Sequence, residues 1–192
     1  MENLYDVLLK DSRLVLERKS QILCSLSNKR GRDGDEEEKE KQFWLLKTEP
    51  GEWSWEDQFA NGGISKWDGV KNKQAQKYMK SMKVGDFCFF YHSGNKSRKL
   101  VGIVSVIKEW YFTDKGEDKE GAVDVKEVGG MNKPIDLKEM KLEEGLKGFL
   151  LFKQPRLSVV PVPKNVWDKI CEIGGGFTEE EKEEEATNVW IN

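Results

Sequence analysis

Histidine is nearly missing. His92 is the only one in 192 residues, so a metal site built on two histidines is impossible, and any histidine-based catalytic triad must use that residue. Ser93 is its neighbour but points to the opposite face if the two lie on a strand, so a hydrogen-bonding role fits His92 better than that of a general base. Cysteine is scarce too. Cys24, Cys88 and Cys171 are odd in number and widely separated, which suggests neither a disulfide framework nor a close-spaced zinc site and fits a reducing intracellular compartment. No apolar run approaches the ~20 residues that a membrane span needs, and 35% charged residues with a mean hydropathy of -0.71 exclude a membrane protein. The glycine motifs that cradle phosphates are also absent: no G-x-G-x-x-G occurs, and Gly174-Gly175-Gly176 lacks the lysine and serine of a P-loop. Carboxylates are abundant but fall in tails and loops, where solvation explains them. The residues give no positive sign of an enzyme, a cofactor or a metal.

What is present is aromatic and unevenly charged. Seven Trp, nine Phe and four Tyr supply a core large enough for one domain. The net charge of -3 conceals basic residues between acidic ends: residues 1–40 carry -2, residues 177–192 carry -5, and the remainder carries +4. A mildly basic middle permits a phosphate-facing surface. The leader over 1–40 reads as disordered or weakly helical; Glu2, Asp6, Asp11 and Glu17 argue against an organellar presequence. Lys29-Arg30-Gly31-Arg32 makes a weak nuclear import signal, with a charged linker as the plainer explanation. The domain is expected over 41–176, followed by an acidic tail over 177–192.

Within the domain, Phe43 to Lys47 predicts a strand stopped by Pro50. Ser54 with Asp57 predicts a capping box opening a short helix from Trp55 to about Ala60. After the turn at Asp68-Gly69, Ala75, Tyr78, Met79 and Met82 form one apolar helix face. Phe87 to His92 predicts a buried strand with Phe87, Phe89 and Tyr91 on one side and Cys88, Phe90 and His92 on the other. Leu100 to Phe112 predicts a long central strand, Ala122 to Val128 an outer one, and Pro134 to Leu146 a loop with a short helix. Phe149 to Phe152 and Leu157 to Val162 read as strands, and Asn165 to Ile173 as a closing helix. Short strands at turn-spaced intervals with few helices indicate a small barrel.

Four blocks, FWLLKTEP, WDGVKNKQAQ, KVGDFCFFYHS and FKQPRLSVVPV, resemble the EVE domain family over about residues 43 to 173. The resemblance implies an α+β fold, a PUA-like mixed β-barrel with peripheral short helices, related to the YTH readers and bearing a pocket for a modified base. A base pocket needs an aromatic face, donors and acceptors at the base edge, and basic groups for flanking phosphates. Trp67, with Tyr91 or Trp53, can supply walls; Asn72, Gln74, His92 and Ser93 can supply edge contacts. Lys47, Glu49, Lys71, Lys73, Arg156 and Ser158 fall in the same blocks as phosphate or edge contacts. Each has a plainer role: Trp67 and Tyr91 as core, Asn72 as a helix cap, Lys47 and Glu49 as an ion pair, Arg156 as a surface residue. Two departures from the family's usual WDGVRN and QAR are Lys71 and Gln76, which lose a guanidinium fork and a charge. The resemblance implies a non-catalytic reader, monomeric and without membrane association, of 5-methylcytosine or an oxidised derivative in DNA. Modified RNA is the alternative ligand. A hydrolase of modified nucleotides using His92, or an interaction module recruiting partners through its acidic tails, are readings from other classes. Nuclear residence is expected from the family, with the cytoplasm as the alternative.

Overall fold

The computed structural model describes residues 41–94, 97–113 and 120–178; the leader over 1–40 and the stretch 179–192 lie outside the described residues. The elements run β1 (Phe43–Thr48), α1 (Trp55–Ala60), β2 (Ile64–Trp67), α2 (Lys73–Ser81), β3 (Phe87–Ser93), β4 (Arg98–Phe112), β5 (Gly121–Asp136), α3 (Leu137–Leu142), a 3-10 turn (Glu144–Leu146), α4 (Leu150–Lys153), β6 (Val159–Val162), α5 (Lys164–Ile173) and β7 (Phe177–Thr178). The strands form one mixed sheet in the order β2-β5-β4-β3-β1-β6, with β7 paired to β5. Among the described strands, only β1 and β3 run parallel.

This sheet curls. Strands β5 and β4 separate β2 from β3, which in a flat sheet would hold the outer pair about 14 Å apart. Yet the rings of Trp67 on β2 and Phe90 on β3 meet edge to face with centroids 5.6 Å apart. The pairing of β4 with β5 shifts register between Leu100 and Gly102, Ile103 and Val104, Val106 and Lys108, and Lys108 and Tyr111, irregularities of the kind that bend a sheet. The α+β class and PUA-like curled sheet match the sequence expectation.

Strand alternation then decides what each face covers. The β1–β3 ladder is unbroken from Phe43↔Phe87 to Thr48↔His92. Phe43, Phe87 and Phe89 therefore share a face, and all three stack on Trp167 of α5, with centroids 4.5, 6.2 and 3.9 Å away. Phe90 and His92 share the other face with Trp55 and Trp67. Asp86, 3% exposed, ties the start of this assembly together: its carboxylate accepts from Trp44 Nε1 at 2.9 Å, Gln42 N at 3.1 Å and Lys83 N at 3.0 Å.

Local sequence signals hold where they are strong and fail where long-range pairing overrides them. Ser54 and Asp57 form the expected capping box of α1, and the Ala75–Met79 stripe of α2 is buried. Ala122 to Val128 does not lie at the sheet edge: β5 has β4 on one side and β2 and β7 on the other, and it extends through Gly129-Gly130 and Pro134 to Asp136. Phe149 to Phe152 is not a strand but the start of α4, because a short apolar run satisfies either period. Strand β6 begins at Val159, two residues after Leu157. Phe177 and Thr178 do not belong to the acidic tail: they pair with Met131 and Gly130, and Phe177 is 5% exposed.

Candidate nucleic-acid interface

The interior face of the curled sheet carries an aromatic cluster. Phe90 is at its centre, with Trp55 edge-on at 5.2 Å, Trp67 at 5.6 Å and His92 at 5.8 Å. Trp55 is the member that sequence reasoning passed over. Its indole lies flat against Gly102 of β4, so close that a Cβ there would fall 2.3 Å from Cη2, and its Nε1 would lie 3.5 Å from a Cβ at Gly130. A glycine inside the long apolar run of β4 was the available signal, since such a glycine marks a close approach by another group.

His92 fixes this cluster to α1. Its Nε2 accepts the backbone N–H of Trp55 at 3.2 Å, a bond that only the neutral imidazole can make at that nitrogen. Burial, aided by Lys99 and opposed by Glu56, holds its pKa below the usual histidine value. One of its two imidazole nitrogens is thus occupied by the fold. Trp53 is fixed differently: its Nε1 donates to Oε1 of Gln58 at 2.9 Å. The fully buried Gln58 also accepts from Ser65 Oγ at 2.5 Å and donates to the Gly63 carbonyl at 2.7 Å.

Trp67 is 7% exposed. It therefore serves as floor beneath the cluster rather than as an open wall, and little of its face is left for stacking. Tyr91 is 3% exposed. Alternation along β3 turns it to the face opposite His92, so Tyr91 and Trp67 do not wall one slot. Burial is the main cause that pushes its hydroxyl pKa up to about 12, with Asp136 adding to the effect and Arg98 opposing it.

On Tyr91's face, Lys47 pairs with it across the ladder. The Lys47 ammonium does not pair with Glu49, which is exposed; Nζ donates to the Pro155 carbonyl at 3.1 Å and more weakly to that of Gln154 at 3.5 Å. Burial lowers its pKa to about 8. This half-buried ammonium is held by carbonyls alone, with no carboxylate within ion-pairing distance among the described residues. Ser93 donates its hydroxyl to the Thr48 carbonyl at 3.2 Å, closing the ends of β1 and β3. Ser158 enters through its backbone, whose carbonyl accepts from Lys47 N at 2.9 Å. Arg156 is exposed on the same connection.

A third group follows Trp67. Gly69, with φ 70°, turns the chain, and Lys71, Asn72, Lys73 and Gln74 are exposed around the start of α2. Asn72 is its N-cap, with Oδ1 accepting from Gln74 N at 2.9 Å and Ala75 N at 3.1 Å. This uses the carbonyl half of the amide, and the NH2 half has no protein partner among the described residues. Gln76, where the family pattern has arginine, donates to the Val70 carbonyl at 2.8 Å, so it shapes the Trp67–Asn72 connection from within. No group of three or more His, Cys, Asp or Glu side chains able to hold a metal occurs among the described residues. Cys88 is fully buried with its pKa raised well above the ordinary value by that burial and by Asp86.

These arrangements have relatives. The EVE domain profile matches residues 42–173. Thymocyte nuclear protein 1 of Gallus gallus is 32% identical over 172 residues, covering 72% of this chain and 69% of that protein. A crystal structure of a protein from Agrobacterium tumefaciens is 37% identical with a TM-score of 0.67, covering 73% of this chain and 99% of that one. The crystal structure of human THYN1 protein in complex with DNA containing 5-methylcytosine is 28% identical with a TM-score of 0.66, covering 74% of this chain and 99% of that one.

Proposed function

Because this chain belongs to the EVE domain family, we propose that it is a non-catalytic nucleic-acid-binding module that reads a modified base, 5-methylcytosine or an oxidised derivative in DNA. The observation that carries this reading is the shared fold with the human relative solved on 5-methylcytosine DNA. The local chemistry supports it. Aromatic surface at Trp53 and Trp55 suits one planar heterocycle, at ~1 to 3 kcal/mol per stacked base. The Asn72 NH2 group suits an acceptor on the base edge, and Lys47, Lys71, Lys73 and Arg156 suit phosphate. The occupied Nε2 of His92 speaks for recognition over hydrolysis. The homologues' name supports nuclear residence.

A 5-methyl group adds one small apolar contact, so discrimination of roughly 10-fold, on the order of 1 to 2 kcal/mol, is expected against unmodified cytosine. Fluorescence anisotropy with matched oligonucleotides, cytosine against 5-methylcytosine, as single strand, duplex and RNA, measures it directly. Equal affinity for modified and unmodified DNA would overturn the reading, and a stronger preference for the RNA set would move it to RNA.

A further inference from the structure

We propose that residues 179–192 of this chain dock as a tethered ligand in a groove at the start of β1, away from the interface above. The groove has a volume of about 640 Å³. Its floor is apolar, with Phe43, Phe149, Pro161 and Val166, and Lys41, Lys147 and Lys164 stand around it. Nothing in the nucleic-acid reading uses it.

Its chemistry asks for an occupant that is apolar in the middle and anionic beside that, and the chain carries one. Residues 179–185 read EEEKEEE, and Val189-Trp190-Ile191 follow. A segment meant only for solvent is poor in aromatic and β-branched residues; this one places a tryptophan between two β-branched residues. Charge complementarity follows from the lysines. Lys147 is bonded to Glu144 at 2.5 Å and Lys164 to Asp168 at 2.6 Å, exposed pairs of the kind that exchange partners readily. Lys41 lies 5.0 Å from the Phe87 ring centroid, held by the ring face rather than by a carboxylate among the described residues.

Reach permits the docking. Helix α5 starts at the groove with Lys164 and runs ten residues to Ile173, about 15 Å. The chain then turns through Gly174–Gly176 into β7, whose last residue is Thr178. From there to Val189 an extended chain spans up to roughly 36 Å, ample to return along α5. A tether this short gives an effective concentration on the order of millimolar, so a weak site suffices to hold it.

The test uses the full chain. Amide hydrogen exchange is compared between the native sequence and a variant carrying V189S, W190S and I191S. Exchange over 147–153 and 161–166 is expected to be at least fivefold faster in the variant, and a synthetic peptide of residues 179–192 added in excess should restore the slow rate. A K147E/K164E chain with an intact tail should show the same fast exchange. Identical rates in native and triple-variant chains would overturn the proposal. So would protection that grows with protein concentration alongside a dimer in sedimentation, because the tail would then occupy a second copy.

Discussion

Gly102→Ala is the substitution most closely specified by the geometry. The added methyl would fall 2.3 Å from Cη2, 2.5 Å from Cζ3 and 2.6 Å from Cζ2 of Trp55, more than 1 Å inside van der Waals contact. Backbone cannot yield easily in the middle of β4, which is paired on both sides there: Phe90 opposes Gly102 on β3 and Gly130 opposes it on β5. The indole must move, and with it the edge contact to Phe90 and the start of α1, whose first N–H is held by His92. Overpacking of this kind costs about 1 to 3 kcal/mol, a fall in Tm of roughly 3 to 10 °C for a domain of this size. Urea unfolding followed by circular dichroism measures the loss. A double-mutant cycle assigns it: Trp55→Phe removes the benzo atoms that the methyl meets, so Gly102→Ala should cost at least ~0.5 to 1 kcal/mol less in that background. Stability unchanged within about 0.5 kcal/mol, or a cycle with no coupling, would refute the placement of Trp55 on Gly102. On the proposed reading the substitution should also weaken binding to the modified oligonucleotide, since it displaces an aromatic group of the candidate interface.

Lys47→Met should lower oligonucleotide affinity and reduce the slope of log K against log salt by about 0.7 to 0.9, the value of one phosphate contact; an unchanged slope would remove Lys47 from the interface. Because its folded pKa is about 8, native binding should weaken as pH rises through 8, while the fold itself gains stability between pH 8 and the unfolded lysine value near 10.4, a gain the methionine chain lacks. His92 has the same sign on the acid side: its pKa is lowered in the fold, so stability is present above the unfolded value near 6.5 and is lost as pH falls through the lower folded one. Melting curves from pH 7 to 4 should show that acid loss in the native chain and a smaller one in His92→Gln, whose amide oxygen can still accept from Trp55 N–H. Asn72→Ser keeps an N-cap and should leave Tm nearly unchanged while binding falls, whereas Asn72→Ala should cost about 1 kcal/mol of stability as well; full binding by the serine chain would limit Asn72 to capping.

The parts of this fold legible in the sequence are those fixed by neighbours in the chain. The Ser54–Asp57 capping box, the Ala75–Met79 stripe and the two faces of Phe87–His92 depend on spacings of two to four residues, and each forms as its spacing demands. The extension of β5 across Gly129-Gly130 and Pro134 is not legible in this way, since those residues ordinarily mark a turn. They are accommodated because pairing with β4 shifts register around them. The α4 segment is four residues long, too short for any period to distinguish helix from strand. In the candidate interface, the types of residue were legible and their facing was not. Asn72 caps and His92 hydrogen-bonds, as their positions suggest, whereas Lys47 bonds the Gln154 and Pro155 carbonyls instead of pairing with Glu49. That Trp55 would cover Gly102, 47 positions onward, is a consequence of sheet curvature that no local pattern contains.

The facing has a consequence for how a nucleotide could sit. Thr48 and His92 are paired, as are Lys47 and Tyr91, so the interior aromatic cluster and the half-buried ammonium lie on opposite faces of the same two strands. A slot confined to either face would engage only one of them. The two faces meet where the strands end, at Thr48 and Ser93, whose hydroxyl-to-carbonyl bond closes that edge. The reading proposed above therefore places a ligand over the strand ends, with its planar part toward Trp53 and Trp55 and its phosphate toward Lys47. On this arrangement Trp67 contributes by supporting Phe90 from below, which explains why a tryptophan inside the strongest family-like motif is so little exposed. Removing it would act first on the fold, by about 3 to 5 kcal/mol for a buried aromatic truncated to alanine, and would be a poor probe of recognition. Substitutions at Lys47 and Asn72, which the proposed reading sets against the ligand and which lie outside the buried core, separate binding from folding.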